Sequence, residues 1–190
     1  GSIANSINKG SISSTYAKHI GGIIGNVASA EFKGLINSAN IGTVEGRKHD
    51  ITIDTTIYEE YPGSIVGFIG SHDSSLISNN YYVDGLDYGL VTDTAYTAAT
   101  KVSSEDIESG KLAYLLGKKF GQKLDKLNDG EIKDANPIVG GDVVYEVKQC
   151  DDVTIMYSNY NENQKHDFVL IMHLLMLFFH GQRVQLLQCF

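Results

Sequence analysis

Tryptophan is absent from this 190-residue chain, and proline and cysteine each occur only twice. With Cys150 and Cys189 alone, both in the last quarter, neither a paired Cys-x-x-Cys zinc site nor a dense disulfide framework can form. One bridge between them stays open, and so few thiols suit a reducing cytoplasm and a thiol-avoiding bacterial surface protein equally well. Positive charge is short as well. Fifteen Lys and Arg face 23 Asp and Glu, giving a net charge of −8 and a pI near 5.1, the wrong sign for neutralising nucleic-acid phosphates or resting on an anionic membrane. No nucleic-acid partner is expected. The first residues show no initiator Met, basic n-region or cleavage site, so a secretion signal is expected only upstream of them. The one long apolar run, at 168–179, is interrupted by His173 and falls short of the roughly 20 residues that span a bilayer. No transmembrane span is expected from it.

What the chain does contain is repetition. Ile3-Ala4-Asn5-Ser6-Ile7-Asn8-Lys9-Gly10 returns 32 residues later as Leu35-Ile36-Asn37-Ser38-Ala39-Asn40-Ile41-Gly42, identical at four of the eight positions. A looser copy, Leu76-Ile77-Ser78-Asn79-Asn80-Tyr81-Tyr82-Val83, follows 41 residues further on. Between the copies sits a second element, Gly21-Gly22-Ile23-Ile24-Gly25 and then Gly63-Ser64-Ile65-Val66-Gly67. Each apolar piece is short, rich in Ile and Val, and bounded by Gly, Asn or Ser, which is the composition of a strand punctuated by turns. Units of this kind cannot bury an apolar face alone and need neighbours above and below. The recurring Asn suits such stacking twice: it tolerates the left-handed turn region, and stacked amides hydrogen-bond to one another. Gly21 to Gly25 imitates a phosphate-cradling loop only superficially, because no Lys-Ser/Thr and no helix pattern follow it.

The Gly-x-Ile-x-Gly cores at 21–25 and 63–67, each followed by an Asn-rich strand, resemble GLUG-motif repeats. Leu76 to Asp84 resembles the closing strand of such arrays, and the stretch from Lys101 to Gly117 looks like the helix that follows them. Phe120-Gly121-Gln122 and the stretch from Asn136 to Tyr145 resemble the terminal hairpin, so the resemblance covers residues 1–148. GLUG repeats occur in large secreted or cell-surface bacterial proteins, including some IgA-specific metallopeptidases, as non-catalytic regions. The resemblance therefore implies a secreted or cell-surface location.

About ten extra residues precede Gly63 relative to the first copy, and the alternation of Ile51 and Ile53 with polar neighbours predicts an added strand there. Tyr58, Glu59, Glu60 and Tyr61 in this insert offer aromatic and acidic groups to a glycan or partner protein, with a solvated turn as the alternative. Ser103-x-x-Asp106 is a capping-box start that predicts a helix over 103–117, weakened by Gly110. Pro137 and Gly140-Gly141 predict a hairpin over 138–147. The apolar run at 168–179 predicts a buried or partner-facing helix, with self-association between chains as one way to cover it. An out-of-frame origin for the tail is the competing reading, since shifting the degenerate codons by two bases restores a Trp across His180 and Gly181.

Chemistry is sparse. The six His show no His-Glu-x-x-His, and no Gly-x-Ser-x-Gly elbow places a nucleophile. Asp84-Gly85-Leu86-Asp87 offers two carboxylates for Ca²⁺ but lacks the alternating oxygens and closing Glu of an EF-hand. Adjacent carboxylates such as Glu59 and Glu60 point to opposite faces of a strand, which does not suit glycoside cleavage. No catalytic residue, metal site or cofactor is expected.

The sequence therefore predicts a mainly β protein: a short parallel β-solenoid over 1–96, a helix-plus-hairpin α+β cap over 97–150, and an apolar tail over 151–190, with an irregular β-sandwich as the alternative. The expected role is a non-catalytic structural or adhesive segment of a bacterial surface protein that binds host protein or glycan. An accessory region of a secreted peptidase, or a polysaccharide-active β-helix enzyme, is the alternative.

Overall fold

The computed structural model describes residues 1–27, 32–46, 49–53, 56–60, 62–69, 76–83, 85, 99–124, 134–148 and 155–159. The chain is mainly β, and its described strands gather into several small sheets. In chain order they are β1 (Ser2–Ala4), β2 (Ile7–Asn8), β3 (Ile12–Ser14), β4 (Ile24–Val27), β5 (Gly34–Asn40), β6 (Val44–Gly46), β7 (His49–Ile53), β8 (Thr56–Glu60), β9 (Val66–Ile69), β10 (Ile77–Tyr82) and β11 (Ala99–Lys101). Helices α1 (Ser104–Glu108) and α2 (Lys111–Leu116) follow, then β12 (Phe120–Gly121), β13 (Ile138–Val139), β14 (Tyr145–Lys148) and β15 (Ile155–Ser158).

The repeat sets the pairing. Strands β1, β5, β10 and β11 run parallel in that order, with β2 also beside β5. Ile3 lies against Leu35 and Leu35 against Ile77, while Ile7 lies against Ala39 and Ala39 against Tyr81. Two further parallel pairs, β3 with β6 and β4 with β9, carry the same stacking around the chain. The second and third copies are related by 42 residues, as the Ser38 and Asn80 contact shows, and not by the 41 expected from aligning Leu35 with Leu76. A slip of one residue reverses which side chains face inward, and the correct register places Ile77 and Tyr81 in the buried set and leaves Leu76 outside β10.

Every copy takes the left-handed backbone conformation at its first Asn. Asn5, Asn37 and Asn79 have φ of 51°, 50° and 54°, the non-glycine residues at positive φ among the described ones. Asn is tolerated there because its short polar side chain bonds locally. Further along, a Cβ on Gly42 would overlap the carbonyl oxygen of Gly10, so the backbones of adjacent copies touch at this point.

Beside these strands lies an apolar cluster of Val27, Leu35, Ile65, Val66, Ile69, Ile77 and Tyr82. Leu35, Ile65 and Val66 are fully buried, and each stabilises the fold by about 1.5–3 kcal/mol relative to exposure. A second cluster joins Ala39 and Tyr81 to Val102, Ile107, Leu112, Leu116 and Phe120, so α1 and α2 pack over the β10 end of the five-stranded sheet.

The helical stretch is split. Ser103 Oγ accepts from Asp106 N–H and Asp106 accepts from Ser103 N–H, completing the expected capping box. Gly110 then takes φ 86° and separates α1 from α2, so the single helix over 103–117 is corrected to two short ones. The hairpin over 138–147 is also corrected: β13 pairs antiparallel with β12, and β14 with β15. A Cβ on Gly121 would overlap the backbone of Gly141 and Asp142, and this close approach commits the 138–141 turn to β12. The β14 and β15 pair crosses residue 150, where the sequence reading places its last boundary.

Candidate functional site

The insert forms a hairpin of its own. Strands β7 and β8 pair antiparallel with His49 opposite Glu60, Asp50 opposite Glu59 and Ile51 opposite Tyr58. The parallel offset is 32 residues at β3 and β6, before the hairpin, and 42 at β4 and β9, after it. The added length is therefore absorbed by this hairpin while the parallel pairs on both sides keep their registers. Glu59 and Glu60 take successive positions on β8, which alternate between the two faces of the ladder. Tyr61 lies outside the described residues, as do Asp84, Asp87, Cys150, Cys189 and the run at 168–179.

The Asn and Ser of the repeats bond to one another. Asn79 Nδ2 donates to Asn37 Oδ1 at 2.6 Å and to the Leu115 carbonyl at 3.1 Å, while Tyr81 donates its hydroxyl proton to Asn79 Oδ1. One step along, the Ser6 N–H donates to Ser38 Oγ at 3.2 Å and the Ser38 N–H to Asn80 Oδ1 at 3.1 Å. At the second Asn, Asn8 Nδ2 donates to Asn40 Oδ1 at 2.8 Å. Residue 82 is Tyr where a third Asn would continue this row, and the buried Asn40 Nδ2 accordingly has no acceptor. Tyr81, pressed against Ala39 and the helices, has its phenol pushed above the usual range by burial.

A second polar group locks the region after the helices. Gln122 is buried, and its Nε2 donates to the carbonyls of Ile107 at 2.9 Å and Asp134 at 3.1 Å. Asn159 holds the same loop from the other side, donating to the Gln122 carbonyl and accepting from the Leu124 N–H, both at 2.8 Å.

One cluster combines partly exposed aromatic rings with charge. The rings of Tyr114 on α2 and Tyr157 on β15 lie 5.4 Å apart at 46°, and Glu146 stands opposite Tyr157 in the β14 ladder. Lys111 Nζ is 2.8 Å from Asp106 Oδ1. The hydrogen bond from Lys111, followed by the Ser103 N–H, holds the Asp106 carboxyl below its usual range, and the bond to Asp106 raises Lys111. Burial lifts Tyr157, with Lys111 drawing it back down. Sequence reading missed this grouping. Tyr114 and Tyr157 share no motif, and only the helix and the last hairpin bring them together.

Among the described residues no group of three or more His, Cys, Asp or Glu gathers as a metal site. No helix among them is long and apolar enough to cross a membrane. Comparison with protein-family models, curated proteins and solved structures finds no match.

Proposed function

We propose that this chain is a non-catalytic structural and adhesive repeat segment of a bacterial surface protein, a short parallel β-solenoid that displays an inserted hairpin to host protein or glycan. The observation that carries this reading is the change of parallel offset from 32 to 42 residues across β7 and β8, which leaves the stacking on either side in register. A stacked scaffold that tolerates a loop-out of this size is suited to presenting it, because insertions in repeat folds cluster on one face. Asn37, Ser38, Asn40, Asn79 and Asn80 form hydrogen bonds between copies, which fits a scaffold role. The resemblance to GLUG-motif repeats agrees with secretion or surface display.

A glycan and host-protein array tests the reading. Binding that drops at least about tenfold in Tyr58→Ala and Glu59→Gln variants, with every bound glycan recovered intact, is the expected result. Release of cleaved glycan that stops in Glu59→Gln or Glu60→Gln would replace it with a polysaccharide-active enzyme.

A further inference from the structure

The first and second copies leave and rejoin the stack at paired positions. Ser14 pairs with Gly46 where the chain departs, and Gly21 pairs with Gly63 where it returns. Between these points the first copy runs through residues 15–20 and the second through the β7 and β8 hairpin. The two excursions touch at their roots. A Cβ on Gly46 would fall 2.5 Å from Ile20 Cδ1 and 2.7 Å from Pro62 Cγ, so Ile20 and Pro62 crowd the same side of Gly46, and the Gly63 N–H donates to the Ile20 carbonyl at 2.9 Å. The shorter excursion is also anchored along its length. Ile20 is buried, the His19 ring lies 4.7 Å from that of Phe68, and Ser14 Oγ accepts from the N–H groups of Tyr16 and Ala17. On this fixed base the Tyr16 side chain is 96% exposed.

We propose that Tyr16 is a partner-contact residue, and that the loop carrying it and the neighbouring β7 and β8 hairpin form one binding surface for a folded protein. Tyrosine offers a large amphipathic ring with few rotatable bonds, and a loop already held by Ser14, His19 and Ile20 has little order left to gain on binding, so burial of this ring is not offset by a large entropy loss. Exposure decides the class of partner. A saccharide is held between the walls of a concave site, and a ring that is 96% exposed has no wall beside it. A folded protein brings its own pocket to such an aromatic anchor. Charge then sets the orientation. Strands β7 and β8 hold Asp50, Glu59 and Glu60 with no Lys or Arg, whereas the loop carries the exposed Lys18. A complementary partner presents basic side chains to the hairpin and acidic ones to Lys18.

The inference rests on the display of the hairpin in the proposed function and narrows its partner to a protein. The experiment probes the host-protein and glycan array with the intact chain and with its Tyr16→Ala variant, then follows amide exchange of the chain mixed with the array protein it binds. Saturable binding to a protein is expected, with affinity at least about tenfold lower in Tyr16→Ala at an unchanged melting temperature. Exchange should slow at Ala17 and Lys18 together with β7 and β8. Equal affinity of the two chains, binding to glycans alone, or protection of the hairpin without Ala17 and Lys18 would overturn the inference and leave display by the hairpin standing. A lowered melting temperature of Tyr16→Ala would assign the ring to the fold, with the same consequence. Binding that weakens in Tyr16→Ala but not in Tyr58→Ala or Glu59→Gln would remove the hairpin's role and the joint surface together, as would the absence of saturable binding to any array member at about 1 mM.

Discussion

The side-chain amide of Asn79 donates to the side-chain oxygen of Asn37 at 2.6 Å, and both residues hold the left-handed backbone conformation. One residue type thus satisfies a steric and a hydrogen-bonding requirement at the same position, and the two can be separated by substitution. Asn37→Gly keeps the conformation and loses the bond, with an expected cost of about 1 kcal/mol. Asn37→Val loses both, with an expected cost of about 2–4 kcal/mol. Urea unfolding midpoints of the two variants check the order; equal midpoints would show that the φ requirement contributes nothing.

Gly42→Ala tests the contact between adjacent copies. The added methyl collides with the Gly10 carbonyl, which belongs to the backbone and has no rotamer to yield. A loss of about 3 kcal/mol or more is expected, at the upper end for overpacking. Gly85→Ala, where a Cβ meets nothing within 4 Å, should stay within about 0.5 kcal/mol of the parent in the same denaturation series.

Gln122→Leu removes the donors to the Ile107 and Asp134 carbonyls while roughly preserving side-chain bulk. The Ile107 carbonyl then keeps its bond from the Gly110 N–H, and the partly buried Asp134 carbonyl loses this donor, for an expected total cost of about 1–3 kcal/mol. A lower melting temperature is expected, together with faster amide exchange at Ser109 and Gly110, which follow α1. Retention of both by the variant would mean that Asn159 alone secures this loop.

The Asp106 and Lys111 pair makes the helical end pH-sensitive on the acid side. A carboxyl lowered in the folded state favours folding fully above its unfolded value, near pH 4, and this contribution fades as the pH falls through the lowered value. Because Lys111 is raised by the same contact, its contribution is present below the ordinary lysine range and fades only as alkali carries the pH through its raised value. Asp106→Asn should flatten the acid limb of the pH profile of thermal stability and leave the neutral plateau slightly lower. An unchanged acid limb would show that this exposed pair contributes nothing measurable.

The local chemistry of the repeats was legible in the sequence because it depends on residues close together in the chain. Recurring Asn announced a left-handed backbone position, Ser103-x-x-Asp106 announced a helix start, and the surplus of residues before Gly63 announced an insertion. Each reflects a backbone or hydrogen-bond preference that operates over a few positions. The third register was ambiguous by one residue because Leu76 and Ile77 are equally apolar, and stacking Asn79 over Asn37 decided it. The partners of β12 and β14 were hidden for a similar reason. Pro137 and Gly140-Gly141 specify a turn but not which strand it meets, and that choice depends on the close approach of Gly121 to Gly141 and on Asn159 reaching back to Gln122 and Leu124. The pairing of Tyr114 with Tyr157 likewise exists only once α2 and the β14 and β15 hairpin have packed. Short-range preferences are written residue by residue, whereas contacts between distant segments are selected by which surfaces can approach closely enough to exclude water, and that is a property of the assembled fold.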